Sequence, residues 1–364
     1  MNKKLKKSNR KKSNNRKKSN RKKSIRKKSI RKTTYKIKRF CDKKYTSIKL
    51  PSKRFMMKNG KNRFAYAVLL FPDPKTKLDT YMDGCIGVAL GLRKQNVIAD
   101  IVCMCTPDVS EKTKDVLKIV FDRVIKVPYI LPHDDLLLTI RESYKYVFTK
   151  FWIINKEIFP YEKVCLIDSD VIPIKGYDTL FKLNTPAGII EPPRDKFKNG
   201  WDKLYKKYRC GSEFGHGKLV DKKYTDLWNK EAGDANAGLW VLSPDTSEFN
   251  DIMKEIKSDP KKWIGPNHQH KGFYKNGEII PKYSWPEQQY LTVRYSGKWT
   301  SIGYEYASWC FQHSTSLGIH YVLRPVPWLN AQEGDSCVYK YYNAIIWGAK
   351  HYPELKGKIL KTIL

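Results

Sequence analysis

The sequence predicts an α/β protein, a parallel sheet wrapped by helices on both faces, behind a basic tail. Apolar strand-sized runs alternate with helical patterns between residues 63 and 168, and an alternation at roughly 25 to 40 residue intervals is the signature of βα units. Charge divides the chain as sharply. Residues 1 to 54 hold 26 basic residues and one acid, Asp42, and so carry +25 of the +35. The other 310 residues hold 45 basic against 35 acidic, enough chain for a sizeable core. With 41% hydrophobic and 13% aromatic residues, a wholly disordered protein is excluded.

Within the body, Arg63 to Phe71 reads as a buried strand and Tyr81 to Gln95 as a helix. Gly84, Gly87 and Gly91 share one smooth helix face, suited to close helix-on-sheet contact. Ile98 to Thr106 is the second strand. Ser110 then caps a helix that turns Val116, Leu117, Ile119 and Val120 inward. Val124 to Tyr129 is the third strand, Leu136 to Ile158 a helical segment, and Lys163 to Asp168 the fourth strand. Ligands of such sheets gather beyond the carboxyl ends of the strands, which makes this a nucleotide-binding architecture. After residue 190 the pattern becomes irregular and rich in Trp, Tyr, Pro and Gly, as a substrate-binding half built of loops would be.

From Arg10 the tail runs as an imperfect five-residue repeat, RKKSN, RKKSN, RKKSI, RKKSI, RKTTY. It has no helix or strand period and repels itself, so residues 1–54 are expected to be disordered and residues 55–364 to form the folded domain. A polycation of this kind associates with nucleic acid or other polyanions by counterion release, or serves as a targeting address. Ser19, Ser24 and Ser29 sit among the basic residues, where phosphorylation would cut the charge.

No apolar run reaches the ~18 residues of a membrane span, and no secretory signal is legible near the start. The eight cysteines show no CxxC, which favours a reducing, cytoplasmic setting over a disulfide framework, with nuclear or particle association through the tail as an addition.

The stretch VCLIDSDVIP holds the chain's one Asp-x-Asp, Asp168 and Asp170, where an apolar strand runs out. Period-two geometry turns both carboxylates to one side, where they either converge on a hard divalent cation such as Mg²⁺ or Mn²⁺ or serve as turn residues and caps.

With that motif in view, the body resembles the family 8 glycosyltransferases, the glycogenin-like retaining enzymes of GT-A fold, over roughly residues 64 to 330. The matches are ordered: TPDVSE with VFDRVIKV at 106 to 127, FTKF at 148 to 151, EKVCLIDSD at 162 to 170, NAGLWVLSP at 236 to 244, PEQQYLT at 286 to 292 and HYVLRPVPW at 320 to 328. The resemblance implies a Mn²⁺-dependent enzyme, with Mg²⁺ as the substitute, that moves a hexose, glucose in the first place, from a UDP-sugar to a glycan or protein hydroxyl. It implies Asp168, Asp170 and His320 as metal ligands and Lys150, Asn236, Glu287 and Gln288 around the transferred sugar. Leu69, Tyr81, Lys150, Ser169 and Arg324 would line the donor nucleotide, with Tyr81 stacked on uracil.

This sequence departs from the family in three places. Phe71-Pro72 stands where the family reads uracil with Thr-Asn, Glu287 replaces Asp, and Leu323 and Val326 replace a Gly and a phosphate Lys, leaving Arg324 as the substitute cation.

Each assignment has a plainer counterpart. His320 is otherwise a core histidine, with His313 the competing ligand, and Lys150 a solvated helix charge. Asn236 with Gly238 is otherwise a turn. Trp240, Trp285, Trp299, Trp309 and Trp328 either line a sugar groove or fill the core. The alternative class is a polyanion- or nucleic-acid-associated protein whose transferase domain has decayed.

Overall fold

A computed structural model describes residues 48–137, 142–191, 216–227, 232–264, 273–275, 278–280, 283, 285–309, 316–322, 326–329 and 338–359. Most of the repeat tail, with Ser19, Ser24 and Ser29, lies outside these residues, as do His313, Leu323 and Arg324. Residues from Lys49 on form one compact unit.

The first strand of the main sheet, β1 (Phe64–Leu70), is buried at every position, as a central strand with both faces covered must be. It pairs in parallel with β2 (Asp100–Cys105) on one side and with β4 (Lys163–Ile167) on the other, while β3 (Arg123–Lys126) adds to β2. Between them run α1 (Met82–Arg93) and α2 (Glu111–Leu117). Ser110 caps α2 as expected, its hydroxyl accepting from the Thr113 N–H. Val116, Leu117 and Val120 are buried, whereas Ile119 is only half-buried.

Two expectations are corrected. Leu136 to Ile158 is not one helix: its described part is short 3-10 pieces, among them Asp134–Leu136, Glu142–Lys145 and Val147–Ile154. Its aromatic and β-branched residues disfavour a regular α-helix, and the tighter turns leave Phe148 and Phe151 packed on Tyr290. The sheet is also mixed rather than parallel. Its order is β8-β6-β7-β4-β1-β2-β3, with β6 (Ala187–Ile190), β7 (Ala235–Leu242) and β8 (Thr300–Ser301) completing seven strands. β7 runs antiparallel to both β4 and β6.

Beyond residue 190 the described residues include regular, buried elements. β7 is buried throughout, and the amphipathic α3 (Thr246–Lys257) is joined to α4 (Pro286–Arg294) by Arg294, which bonds Glu248 and Glu255 at 2.7 to 3.0 Å. Trp240, Trp299 and Trp309 are core residues.

A second sheet of three strands, β9 (Ser308–Trp309), β10 (Gly318–His320) and β5 (Val171–Pro173), lies directly after the Asp-Ser-Asp turn. The smooth glycine face of α1 is what lets this sheet and the turn approach. A Cβ on Gly84 would stand 2.5 Å from the Ser169 carbonyl oxygen and from the Trp328 ring, and one on Gly91 2.4 Å from the Pro173 carbonyl oxygen. Behind α1 packs α5 (Val338–His351), whose Tyr341 occupies the space beside Gly87. Among the described residues no helix is long and apolar enough to cross a membrane.

Because the Ser169 carbonyl is backbone and cannot rotate away, Gly84→Ala should cost about 1–3 kcal/mol, read as a lower urea midpoint with an unchanged m-value.

Candidate active site

β4 ends at Ile167, and the Asp168 N–H donates to the carbonyl of Gly238 on β7 at 3.0 Å, anchoring the turn to its neighbour strand. Register then brings His320 to the turn: it pairs with Val171 across β10 and β5, and the Tyr321 N–H donates to the Asp170 carbonyl at 2.9 Å. The His320 Nε2 lies 3.4 Å from Asp170 Oδ1. Gly238 leaves room for that ring, since a Cβ there would sit 2.6 Å from His320 Cε1. The glycine of NAGLW is therefore a steric requirement of the histidine.

Lys150 comes from the 3-10 segment and is buried. Its Nζ lies 2.8 and 3.0 Å from the two Asp168 carboxylate oxygens and 3.0 Å from Glu287 Oε1, at the start of α4. Burial opposes the lysine's charge, but the two carboxylates outweigh it and its pKa is raised. Burial pushes Asp168 up, with Lys150 pulling it down and Asp170 adding to the rise. For Asp170 burial is outweighed by His320 and its pKa is lowered; for His320 burial is outweighed by Asp170 and its pKa is raised.

The structure thus brings together five of the expected residues, Lys150, Asp168, Asp170, Glu287 and His320. Asn236 and Gln288 are close by but committed to the protein. Asn236 donates to Glu191 at 2.6 Å and accepts from the Gly238 N–H, while Gln288 accepts from the Ala237 N–H at 2.8 Å and donates to Asp234 at 3.0 Å. Leu69 is buried at the end of β1, where its carbonyl accepts from the Cys85 thiol, and Ser169 contributes its carbonyl to the contact with Gly84. Tyr81 sits just before α1, 38% exposed and edge-on to Trp328 at 6.1 Å. Phe71 leans on Tyr146 at 6.0 Å.

Sequence reading missed two carboxylates. Glu191, at the end of β6, holds Asn236 and faces His320 electrostatically; only its place at a strand end signalled it. Asp83, in the first turn of α1, has its Oδ1 buried without a hydrogen-bond partner, and burial pushes its pKa up to about 6. Nothing in the sequence marked it.

The donor set suits a hard divalent ion in kind: two carboxylates and an imidazole, with further carboxylates behind them. Asp170 and His320 already converge, whereas Asp168 is turned to Lys150. Among the described residues no three His, Cys, Asp or Glu side chains stand close enough to form a ready cation cage.

An Asp-x-Asp turn at a central strand end, with a histidine and a buried lysine beside it, is the arrangement that the resemblance to GT-A type glycosyltransferases implies. No family model matches the chain. The uncharacterized protein R707 of Acanthamoeba polyphaga mimivirus is 30% identical over 243 residues, 67% of this chain and 71% of that protein. Galactinol synthase 2 of Solanum lycopersicum is 28% identical over 185 residues, and galactinol synthase 10 of Arabidopsis thaliana 25% over 178. The chain spans about half the length of these two synthases, 52% and 53%. The solved glycosyltransferase GlyE of Streptococcus pneumoniae TIGR4 overlaps 82% of this chain and 64% of its own at a TM-score of 0.44 and 14% identity. The chain belongs with the family 8 type glycosyltransferases.

Lys150→Met should leave the buried Glu287, and the half-buried Asp168 beside it, without their shared counter-charge and cost about 3–5 kcal/mol. In Lys150→Met/Glu287→Met part of that loss should return. Chemical denaturation of both variants checks it.

Proposed function

We propose that the protein transfers a hexose from a UDP-sugar to a hydroxyl acceptor, with retention at the anomeric carbon and with a divalent ion, Mn²⁺ or Mg²⁺, on the donor diphosphate. The observation that supports this most is the buried contact of Lys150 with Asp168 and Glu287 beside the Asp170–His320 pair. So much ionisable chemistry at a strand end is costly to bury unless it acts on a charged ligand.

In this reading Asp170, His320 and Asp168 would hold the metal, which would supply Lewis-acid stabilisation of the diphosphate's charge. Lys150 places a fixed positive charge where negative charge grows as the sugar–phosphate bond opens, and the buried carboxylates around it keep that ammonium protonated and aimed. Glu287 and Asn236 flank the sugar. Gln288 acts one step back by fixing the backbone of β7, a positioning role rather than direct contact. Tyr81 offers the base an aromatic edge at the head of α1, with Leu69 and Ser169 in the adjoining walls. Arg324 is assigned to the phosphates by sequence alone. Glucose is the first choice of donor, and galactose differs from it at one stereocentre.

Calorimetric titration with UDP should give Mn²⁺-dependent binding that Asp170→Ala abolishes, after which donor hydrolysis of UDP-glucose and UDP-galactose is compared. UDP binding that ignores the metal, or survives the substitution, contradicts this reading.

The tail supports a second, separable property, association with polyanions, motivated by its +25 charge. Deleting residues 1 to 47, which carry +22 of that charge, should abolish salt-sensitive retention on heparin and leave UDP affinity unchanged. A truncated protein retained as before would exclude the tail as the cause.

A further inference from the structure

Four of the tryptophans discussed above are partly or fully buried, but Trp285 is 38% exposed. Its place is specific. It precedes α4 and packs on Tyr144 at a ring separation of 5.5 Å, with the planes tilted by 40°. Tyr144 belongs to the 3-10 turn just ahead of the segment that carries Lys150.

The two elements therefore meet at three levels. Trp285 meets Tyr144 outermost, Glu287 meets Lys150 next, and Tyr290 meets Phe148 and Phe151 innermost. Exposure along α4 falls in the same order, from 38% at Trp285 to 7% at Glu287 and 0% at Tyr290. The aromatic pair stands at the mouth of the wall whose middle is the charged pair.

The exposed indole is also held in place. Its backbone N–H donates to Gln289 Oε1 at 3.1 Å, and Gln289 is buried. Two residues earlier Tyr283, fully buried, donates its N–H to the Leu136 carbonyl at 2.9 Å. Part of the ring surface is left open there, and the C–H faces of a six-membered polyol ring stack on indole while its hydroxyls point to polar neighbours.

We propose that Trp285, supported by Tyr144, forms the acceptor subsite, a platform for a six-membered polyol ring, pyranose or carbocyclic, whose hydroxyl is presented inward toward Glu287. This rests on the transferase reading, since the donor sugar is placed deeper at Lys150 and the outer ring is then the acceptor.

The test titrates the full-length protein, with Mn²⁺ and UDP present, with methyl α-D-glucopyranoside, lactose and myo-inositol by saturation-transfer NMR. Wild type, Trp285→Ala and Trp285→Phe are compared. At least one ring should bind wild type, about tenfold more weakly in Trp285→Ala, and with most of the affinity restored in Trp285→Phe. The sugar and inositol arms tell a pyranose from a carbocyclic acceptor. Failure of all three rings to bind wild type, equal binding to Trp285→Ala, or loss of UDP affinity in Trp285→Ala overturns the proposal. Failure of the transferase reading shows separately, as wild type that does not bind UDP with Mn²⁺.

Discussion

The site depends on one ion cluster, the buried Lys150 ammonium between the half-buried Asp168 and the buried Glu287. It ties three elements that are remote in sequence: the 3-10 segment, the end of β4 and the first turn of α4. Such a cluster is a poor source of net stability, because desolvating the charges offsets most of their attraction. Its value lies in geometry. A cluster this buried tolerates few arrangements, so the three elements are held in one relative position.

Around that cluster the chain makes room by omission. Gly84 lets α1 settle against the Ser169 carbonyl, and Gly238 lets the His320 ring reach Asp170. Both are close approaches of backbone or ring that any side chain would prevent, so two absent methyl groups set the distance between turn, helix and histidine. Dense interiors transmit such displacements instead of absorbing them. The carboxylates and the histidine are thereby positioned by packing several residues away from the chemistry.

Much of this was legible beforehand. The strands of the first half follow from continuous apolar runs, the cap at Ser110 from its place ahead of a periodic segment, and the glycine face of α1 from its spacing. The acidic turn was marked by two aspartates at a strand end. The mixed strand order was not, because an apolar run such as Ala235–Leu242 is the same in either direction and its partners are fixed by tertiary pairing. The 3-10 character of Val147–Ile154 was only half legible: its aromatic and β-branched residues weaken an α-helix, but the packing of Phe148 and Phe151 on Tyr290 is tertiary. Glu191 and Asp83 were invisible for a related reason: a single carboxylate has no pattern, and its surroundings alone make it notable.

The charge balance of the site carries one more step. Asp168, Asp170, Glu287 and Glu191 gather at one end of the sheet, with Lys150 and His320 as their cationic counterparts among the described residues. Two pairings are made, Lys150 with Asp168 and Glu287, and His320 with Asp170, and they leave carboxylate in excess. A diphosphate is itself an anion, so a pocket of this sign repels it unless a cation of higher charge comes between them. On the proposed reading, the same carboxylates that oppose a bare phosphate would favour a divalent ion placed between the two. If the site takes a divalent ion and a nucleotide diphosphate as proposed, the two bindings are physically coupled, each supplying the charge that the other needs.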